Sequence, residues 1–379
     1  MEGGRAKRKP PDYDMVREEE EETVAHFPLS TRPSPPSISS SREHVMSEVH
    51  LGCPPHFSGP YISRFTFRSP LSEPDATEEM CNELVGGAPT CQMLCLDNDG
   101  DLVLPRPSKM SINCGVTIQH KITSSISSVG LQVWRAAMVL ADFVLHTIFT
   151  SSDFNNIVAL ELGAGTGLVG ILLARVARTV FLTDCDDEIL GNCATNADLN
   201  SRMLKYHGAS VHVREINWKK SWPPTPRVDE CHFPSEQGSR YSWTPLEIEE
   251  AEGASVILAA DVIYSDDLTD AFFNTLAGLM LHGSKKVLYL ALEKRYNFSL
   301  DDLDIVANGY SHFRSYLRDE GECRTLGGGM PCFVGKLVHL AQIPQYIREY
   351  DRGNDLEIWE IKYSSLDTTS HRKESKISV

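Results

Sequence analysis

The chain reads Val-Ala-Leu-Glu-Leu-Gly-Ala-Gly-Thr-Gly over residues 158–167, and this stretch decides the fold. An apolar run contains Glu161, and three glycines alternate with small residues from position 163 onward. Glycine tolerates positive φ and lets a ligand approach the backbone closely, so the pattern predicts a buried strand, a tight turn and a helix over 168–176. Leu168 stands where the dinucleotide-binding fingerprint has its third glycine, which argues against NAD. The acid beside the turn indicates a ligand that carries a positively charged group.

Strand patterns alternate with helix patterns on both sides of this stretch. We predict strands over 101–104, 113–122, 158–162, 180–183, 211–216, 255–259, 286–291, 333–340 and 356–361. Helices are predicted over 131–149, 168–176, 187–204, 267–281 and 300–308. Such alternation is typical of an α/β fold, a mostly parallel sheet with helices on both faces. Ligands of such sheets bind at the carboxyl ends of the strands, where the strand order reverses.

Composition excludes several classes of function. The chain has 379 residues and a net charge of −16, so extensive electrostatic binding to nucleic acid is not expected. Its most apolar segment, 131–150, contains Arg135, Asp142 and His146, so no membrane helix is predicted. Ten cysteines at irregular spacings indicate reduced thiols inside the cell, and no partner residues complete a metal site with Cys91 and Cys95.

The chain divides into regions of different composition. Residues 1–85 contain a basic cluster, a glutamate run and a Ser/Pro stretch without apolar periodicity, so we expect a disordered acidic arm. A β extension is predicted over 86–130, the main domain over 131–365 and a flexible tail over 366–379. The main domain carries a long Pro- and acid-rich insertion at 219–254. The basic cluster at 5–9 resembles a nuclear import signal, so we expect the protein in the nucleus, the cytoplasm or both.

Polar and aromatic side chains follow four predicted strands. Glu161 lies in the strand predicted over 158–162, and Asp184 follows the strand over 180–183. Trp218 follows the strand over 211–216, and Asp261 and Tyr264 follow the strand over 255–259. We number these four strands the first to the fourth. An acid at the second strand end is suited to accept hydrogen bonds from ribose hydroxyls, and an indole nearby can cover an adenine. The glycine turn leaves room for an amino-acid portion against the backbone. Together these features predict a pocket for S-adenosylmethionine.

The chain thereby resembles the seven-strand S-adenosylmethionine-dependent methyltransferases. More narrowly, it is similar to the protein-lysine methyltransferases that carry an Asp-x-x-Tyr motif after the fourth strand. The matching features are Glu161-Leu-Gly-Ala-Gly-Thr-Gly167, Asp261-Val-Ile-Tyr264, Gly130-Leu-Gln-Val-Trp134, the Asn196 and Asn200 pair, the strand end at Trp218, and Ile358-Trp-Glu-Ile361. Two departures, the 219–254 insertion and Cys185-Asp-Asp187 after Asp184, bear on substrate choice more than on the cofactor.

The resemblance implies a seven-strand Rossmann-like sheet and an enzyme that methylates a lysine of a protein substrate, such as a chaperone or a nucleic-acid-associated protein. It implies catalytic roles for Asp261 and Tyr264. The implied cofactor-binding residues are Trp134, Glu161, Gly163, Ala164, Gly165, Asp184, Trp218 and Ala260. No metal, membrane or direct nucleic-acid contact is implied, and the oligomeric state stays open.

Plainer readings remain for several of these residues. Trp134, Trp218 and Tyr264 are also compatible with simple core packing, and Asp184 with a turn. Asn196 and Asn200 are expected to bond to local backbone or to cap their helix. For the function, the alternatives are a methyltransferase of nucleic acids or small molecules, and a non-catalytic protein-interaction module with the same fold.

Overall fold

A computed structural model describes residues 44–46, 59–68, 113–226, 240–299, 304–319 and 332–364. All of them lie in the second of two compact units, 1–42 and 43–379. The strands are β1 (His44–Met46), β2 (Tyr61–Arg68), β3 (Asn113–His120), β4 (Thr123–Ser125), β5 (Val158–Leu162), β6 (Thr179–Asp184), β7 (Ser210–Glu215), β8 (Val256–Ala260), β9 (Val287–Glu293), β10 (Asn297–Ser299), β11 (Asp304–Val306), β12 (Leu317–Arg318), β13 (Cys332–Leu337) and β14 (Leu356–Ser364). The α-helices are α1 (Arg135–Thr150), α2 (Leu168–Leu173), α3 (Asp187–Leu199), α4 (Ser201–His207), α5 (Pro245–Glu252), α6 (Asp266–Leu281) and α7 (Asn308–Ser315).

The main sheet has the strand order β12-β13-β14-β9-β8-β5-β6-β7. Strands β5 to β9 are parallel to their neighbours within this group, whereas β14 runs antiparallel to both β9 and β13. The predicted seven-strand α/β sheet is therefore confirmed, with the two-residue β12 added at one edge. The order reverses beside β5, since the chain continues to β6 on one side and returns through β8 on the other. The glycine turn follows β5 and so lies at this switch point.

Burial explains why the central strand is apolar except for Glu161. All five residues of β5 are buried, as expected for a parallel strand covered by helices on both faces. Helix α1 packs on one face through Met138, Val144 and Leu145, each of which is fully buried. Among the described residues, the segment Ile126–Thr150 alone has the length and composition of a membrane span, and most of it is buried inside the protein. Packing on the sheet accounts for its apolar character.

Strand β2 lies within the stretch that we expected to be a disordered arm. It pairs with β3 in antiparallel register from Tyr61 to Arg68. Its Phe65 and Phe67 are at most 1% exposed and belong to the main core. The expectation of disorder over 1–85 is therefore wrong for residues 61–68, because alternate aromatic side chains give this strand an apolar face. The short β1, which pairs with β4, is a second exception. The basic cluster, the tail after residue 364, and Cys91 and Cys95 lie outside the described residues.

Helix α3 holds β3 through a row of asparagine side chains. The Asn196 amide accepts from the N–H of Gln119 at 2.6 Å and donates to its carbonyl at 3.0 Å. The Asn200 amide likewise accepts from the N–H of Thr117 at 3.1 Å and donates to its carbonyl at 2.8 Å. Asn200 also bonds to the carbonyl of Asn196, so the expected local contact is present, but the main partners are on a distant strand. A further bond from Asn196 to the carbonyl of Thr166, at 2.9 Å, ties the row to the glycine turn.

Two further expectations are corrected by the structure, and it also describes part of the insertion. The predicted helix over 300–308 is wrong, because β11 occupies 304–306 and α7 begins only at Asn308. The insertion 219–254 is partly core, since Trp222, Tyr241 and Trp243 are buried and α5 has a complete capping box. Cys332 is disulfide-bonded, so reduced thiols throughout the chain were the wrong expectation, whereas Cys185 and Cys193 are free.

Candidate active site

A cavity of about 450 Å³ opens at the carboxyl ends of β5, β6 and β8. Every residue that the sequence singled out for catalysis or cofactor binding lines it: Trp134, Glu161, Gly163, Ala164, Gly165, Asp184, Trp218, Ala260, Asp261 and Tyr264. A second cavity of about 540 Å³, between residues 218–222 and α6, contains only Trp218 of this set. The chemistry-bearing side chains therefore meet in the first cavity.

The glycine turn packs so closely against its neighbours that side chains would not fit there. Gly163 has φ +66°, and a Cβ there would lie 2.8 Å from Cγ1 of Val262 and 3.2 Å from the Trp218 indole. Gly165 has φ +52°, and its Cβ would lie 2.8 Å from the carbonyl oxygen of Gly130. Both positions therefore require glycine, and the exposed backbone forms one wall of the cavity.

Glu161 is a buried acid beside this wall. Its Oε2 accepts from the N–H of Gly170 at 2.8 Å, which joins β5 to α2. Burial, with the negative charge of Asp184 adding to it, raises the pKa of Glu161 to about 8. A carboxyl held in this way favours a positive charge in the cavity, because such a charge would offset the cost of its ionisation.

Asp184 links the second strand end to the glycine turn. Its Oδ2 accepts from the N–H of Gly165 at 3.0 Å, and its Oδ1 accepts from the N–H of Cys185 at 2.8 Å. Burial raises the pKa of this carboxyl. A carboxylate has about four acceptor sites, so these two bonds fix the side chain and still leave capacity for ligand hydroxyls. The plainer reading of Asp184 as a turn residue fits the Cys185 bond but not its place in the cavity wall.

Two tryptophans wall the cavity. The Trp218 indole packs edge-on against Phe272, with ring centres 5.2 Å apart, and its far edge faces Gly163. The Trp134 indole donates to the carbonyl of Val129 at 3.1 Å. Both side chains are only partly buried, so each combines core packing with an accessible face.

Asp261 and Tyr264 form the wall beyond β8. Asp261 has φ +57°, an uncommon conformation for a residue other than glycine, and its N–H donates to the carbonyl of Ala291 at 2.9 Å. Its carboxylate pairs with Arg295. Tyr264 is 48% exposed, and partial burial with nearby acids raises its pKa to about 12. The phenol therefore stays neutral near pH 7 and serves as a wall and hydrogen-bonding group.

Sequence reasoning missed some residues of this site. Arg295 follows the end of β9, next to β8 in the sheet, so the rule that found the other strand ends would also have found it. Gly130 was noted only as part of a motif, and Ile189 not at all, although both line the cavity. Among the described residues, no three His, Cys, Asp or Glu side chains are arranged to hold a metal ion.

Comparison with known proteins agrees with this geometry. Residues 114–230 match the sequence model of a family described as lysine methyltransferase. This match spans about a third of the chain. The lysine methyltransferase match covers β3 to β7 and therefore the glycine turn, Asp184 and Trp218, but ends before Asp261.

Full-length relatives extend the similarity. Human methyltransferase-like protein 22 is 38% identical over 71% of this chain and 62% of its own length, and the mouse protein of that name is 37% identical over 65% and 58%. The chain thus spans about three fifths of the length of these two relatives. Protein-lysine N-methyltransferase rrg1 of Schizosaccharomyces pombe is 29% identical over 44% of the chain and 49% of its own length. Among solved structures, magnesium protoporphyrin IX methyltransferase of Synechocystis with bound SAH superposes with a TM-score of 0.33 at 11% identity, over 61% of this chain and 84% of that one.

Proposed function

We propose that the protein transfers a methyl group from S-adenosylmethionine to a lysine side chain of a protein substrate. One observation carries the proposal: Asp261 and Tyr264 line the same cavity as the glycine turn and Asp184. A cavity suited to adenosine would then adjoin an acid and an aromatic ring suited to a lysine. The lysine methyltransferase family and relatives named protein-lysine N-methyltransferases support the same activity.

The residues present fit this cofactor. The glycine turn lines the cavity, so its backbone would lie against the amino-acid portion. Asp184 would accept from the ribose hydroxyls, Trp218 would cover the adenine, and Glu161 would favour the positive charge. Trp134 would wall the opposite side, and the backbone at Ala164 and Ala260 would line the pocket. When bound, the cofactor supplies an electrophilic methyl group, so the protein needs no nucleophile of its own.

The protein's main task is then to deliver a neutral amine. A free lysine has a pKa of about 10.4, so only about one in 2,500 is neutral at pH 7. Burial beside the cavity lowers the lysine pKa by disfavouring the charged form. Asp261 and the carbonyls at 259–262 would accept from the amine and direct its lone pair, while the Tyr264 ring would wall the channel. Positioning of this kind is worth about 7–11 kcal/mol of the barrier.

The acidic character of the protein favours a lysine-bearing protein over nucleic acid as the substrate. The net charge of −16 opposes binding to a phosphate backbone. The resemblance suggests a chaperone or a nucleic-acid-associated protein as the substrate. We propose that the protein acts in the nucleus or the cytoplasm. A small-molecule methyltransferase and a non-catalytic binding module are the alternatives, and the next experiment separates them.

The test is transfer of tritiated methyl groups from S-adenosylmethionine to a cell lysate, with nuclease and protease arms. We expect protease-sensitive label, and mass spectrometry should place it on lysine. Asp261→Ala should lower turnover by at least about 100-fold while S-adenosylhomocysteine binding changes far less. Asp153→Ala, at an exposed position outside the cavity, is the matched control. Label in RNA, on arginine or in small molecules would refute the lysine assignment, and cofactor binding without any transfer would indicate a binding module.

A further inference from the structure

Three consecutive residues at the end of β9 each form an ion pair with a different element. Glu293 pairs with Arg135 at the start of α1. Lys294 pairs with Glu357 on β14 at 2.5 Å. Arg295 pairs with Asp261, beyond the end of β8. Because β9 lies between β8 and β14 in the sheet, these pairs fix the residues after β9 to both neighbouring strands and to a helix.

Arg295 contacts two walls of the proposed active site at once. Its guanidinium carbon lies 5.1 Å from the centre of the Trp134 ring, within the range of a cation–π interaction. The same guanidinium donates to Oδ2 of Asp261. Trp134 and Asp261 both line the cavity, and they are far apart in the sequence. Arg295 is therefore the link between them.

Asp261 needs support of this kind. Its side chain is only 5% exposed, and burial of a carboxylate without a positive partner is costly. Its backbone also adopts a positive φ, which persists only where surrounding contacts impose it. The Arg295 pair and the bond to the carbonyl of Ala291 supply two such contacts.

We propose that Arg295 is a positioning residue for methyl transfer, which holds the Asp261 carboxylate toward the amine and fixes the Trp134 wall. This proposal rests on the proposed function. The rival role is competition, in which Arg295 occupies the subsite of the substrate lysine and must leave before the lysine enters. The anchoring of the two preceding residues, Glu293 and Lys294, favours positioning, since it restrains the backbone from which Arg295 extends.

The test compares Arg295→Ala and Arg295→Lys with Arg314→Ala. Arg314 stacks on Trp359 at 4.3 Å and lies outside the cavity, so it reproduces the arginine–tryptophan contact without the Asp261 pair. With tritiated S-adenosylmethionine and a fixed lysate as probe, Arg295→Ala should lower the maximal rate by about 100-fold and leave the cofactor KM within about threefold. Arg295→Lys should recover part of the rate, and added methylguanidine should restore part of the Arg295→Ala rate. A faster Arg295→Ala enzyme would indicate competition, and an unchanged one would remove any role; either result overturns the proposal.

A thermal double-mutant cycle tests the pair without turnover. Asp261→Asn, Arg295→Gln and the double variant should show non-additive shifts in Tm, with the double variant less affected than the sum. Additive shifts would mean that the pair does not form in solution, which would overturn the proposal even if the variants were inactive. A wild-type protein that labels no lysine would overturn the proposed function, and with it this role. Lysine labelling with unimpaired Arg295→Ala would overturn this role alone.

Discussion

Replacing the buried acid Glu161 by glutamine should stabilise the ligand-free protein as the pH rises. The pKa of Glu161 is raised from 4.5 to about 8 by burial, so between these values the folded state binds a proton that the unfolded state has released. The contribution of protonated Glu161 to the free energy of unfolding is complete below pH 4.5. It falls as the pH rises toward the pKa of the folded state. The glutamine side chain of the Glu161→Gln variant cannot ionise, and its oxygen can still accept from the N–H of Gly170.

The size of the stability difference follows from the pH range between the unfolded and folded pKa values of Glu161. Each pH unit between the two pKa values costs the wild-type protein about 1.4 kcal/mol of unfolding free energy. Over the whole window the loss approaches about 5 kcal/mol, an upper limit because the neighbouring Asp184 titrates in the same cavity. At pH 5 the glutamine variant and the wild type should be nearly equal in stability, and at pH 8 the variant should be more stable by several kcal/mol.

Urea unfolding at pH 5, 6, 7 and 8, without ligand, measures this difference directly. Glu249→Gln, at an exposed position, is the matched control and should show no comparable trend. If the difference in unfolding free energy between Glu161→Gln and the wild type did not change with pH, the pKa of Glu161 would not be raised in the folded protein. The proposed function adds that the stabilised variant binds S-adenosylmethionine more weakly, because it lacks the negative charge.

Three further perturbations test other parts of the structure. Asp184→Ala should weaken S-adenosylmethionine binding by about 1.5–3 kcal/mol, and calorimetry showing unchanged affinity in a folded variant would remove the ribose-binding role. Asp142→Ala should cost about 3–5 kcal/mol in urea unfolding, because this fully buried carboxylate pairs with Arg352 at 2.6 Å and accepts from two backbone N–H groups; a loss below about 1 kcal/mol would contradict that network. Phe67→Ala should lower the free energy of unfolding by about 3–5 kcal/mol. An unchanged Tm after deletion of residues 1–85 would contradict this expectation, since it would show that β2 is dispensable.

The sequence predicted the parts of the fold that depend on local pattern. The run 158–162 is apolar except for Glu161 because β5 is central and covered on both faces, and its composition therefore predicts its burial. The site was predictable for the same reason, since Glu161, Asp184, Trp218 and Asp261 lie at or next to ends of parallel strands. Parallel strands place such ends along one edge of the sheet, so sequence position specifies spatial proximity.

The errors arose where long-range contacts decide the structure. Phe65 and Phe67 lie within a stretch of low overall hydrophobicity, and only pairing with β3 makes them part of the core. Arg295 lies at a strand end that the same rule could have flagged, but its contacts with Trp134 and Asp261, which are distant in sequence, show only in the fold. The helix predicted over 300–308 failed because β11 pairs with β10 there, a hairpin that no periodicity in so short a segment reveals.

The asparagine row on α3 also occupies the edge of β3 that does not pair with β2. A strand bonded on one side only presents free N–H and C=O groups, and such an edge recruits strands from other molecules. Thr117 and Gln119 point these groups away from β2, and the amides of Asn200 and Asn196 satisfy them in the same paired pattern that an added strand would use. The helix thus takes the place of a neighbouring strand at this edge and keeps these groups from pairing with a strand of another molecule.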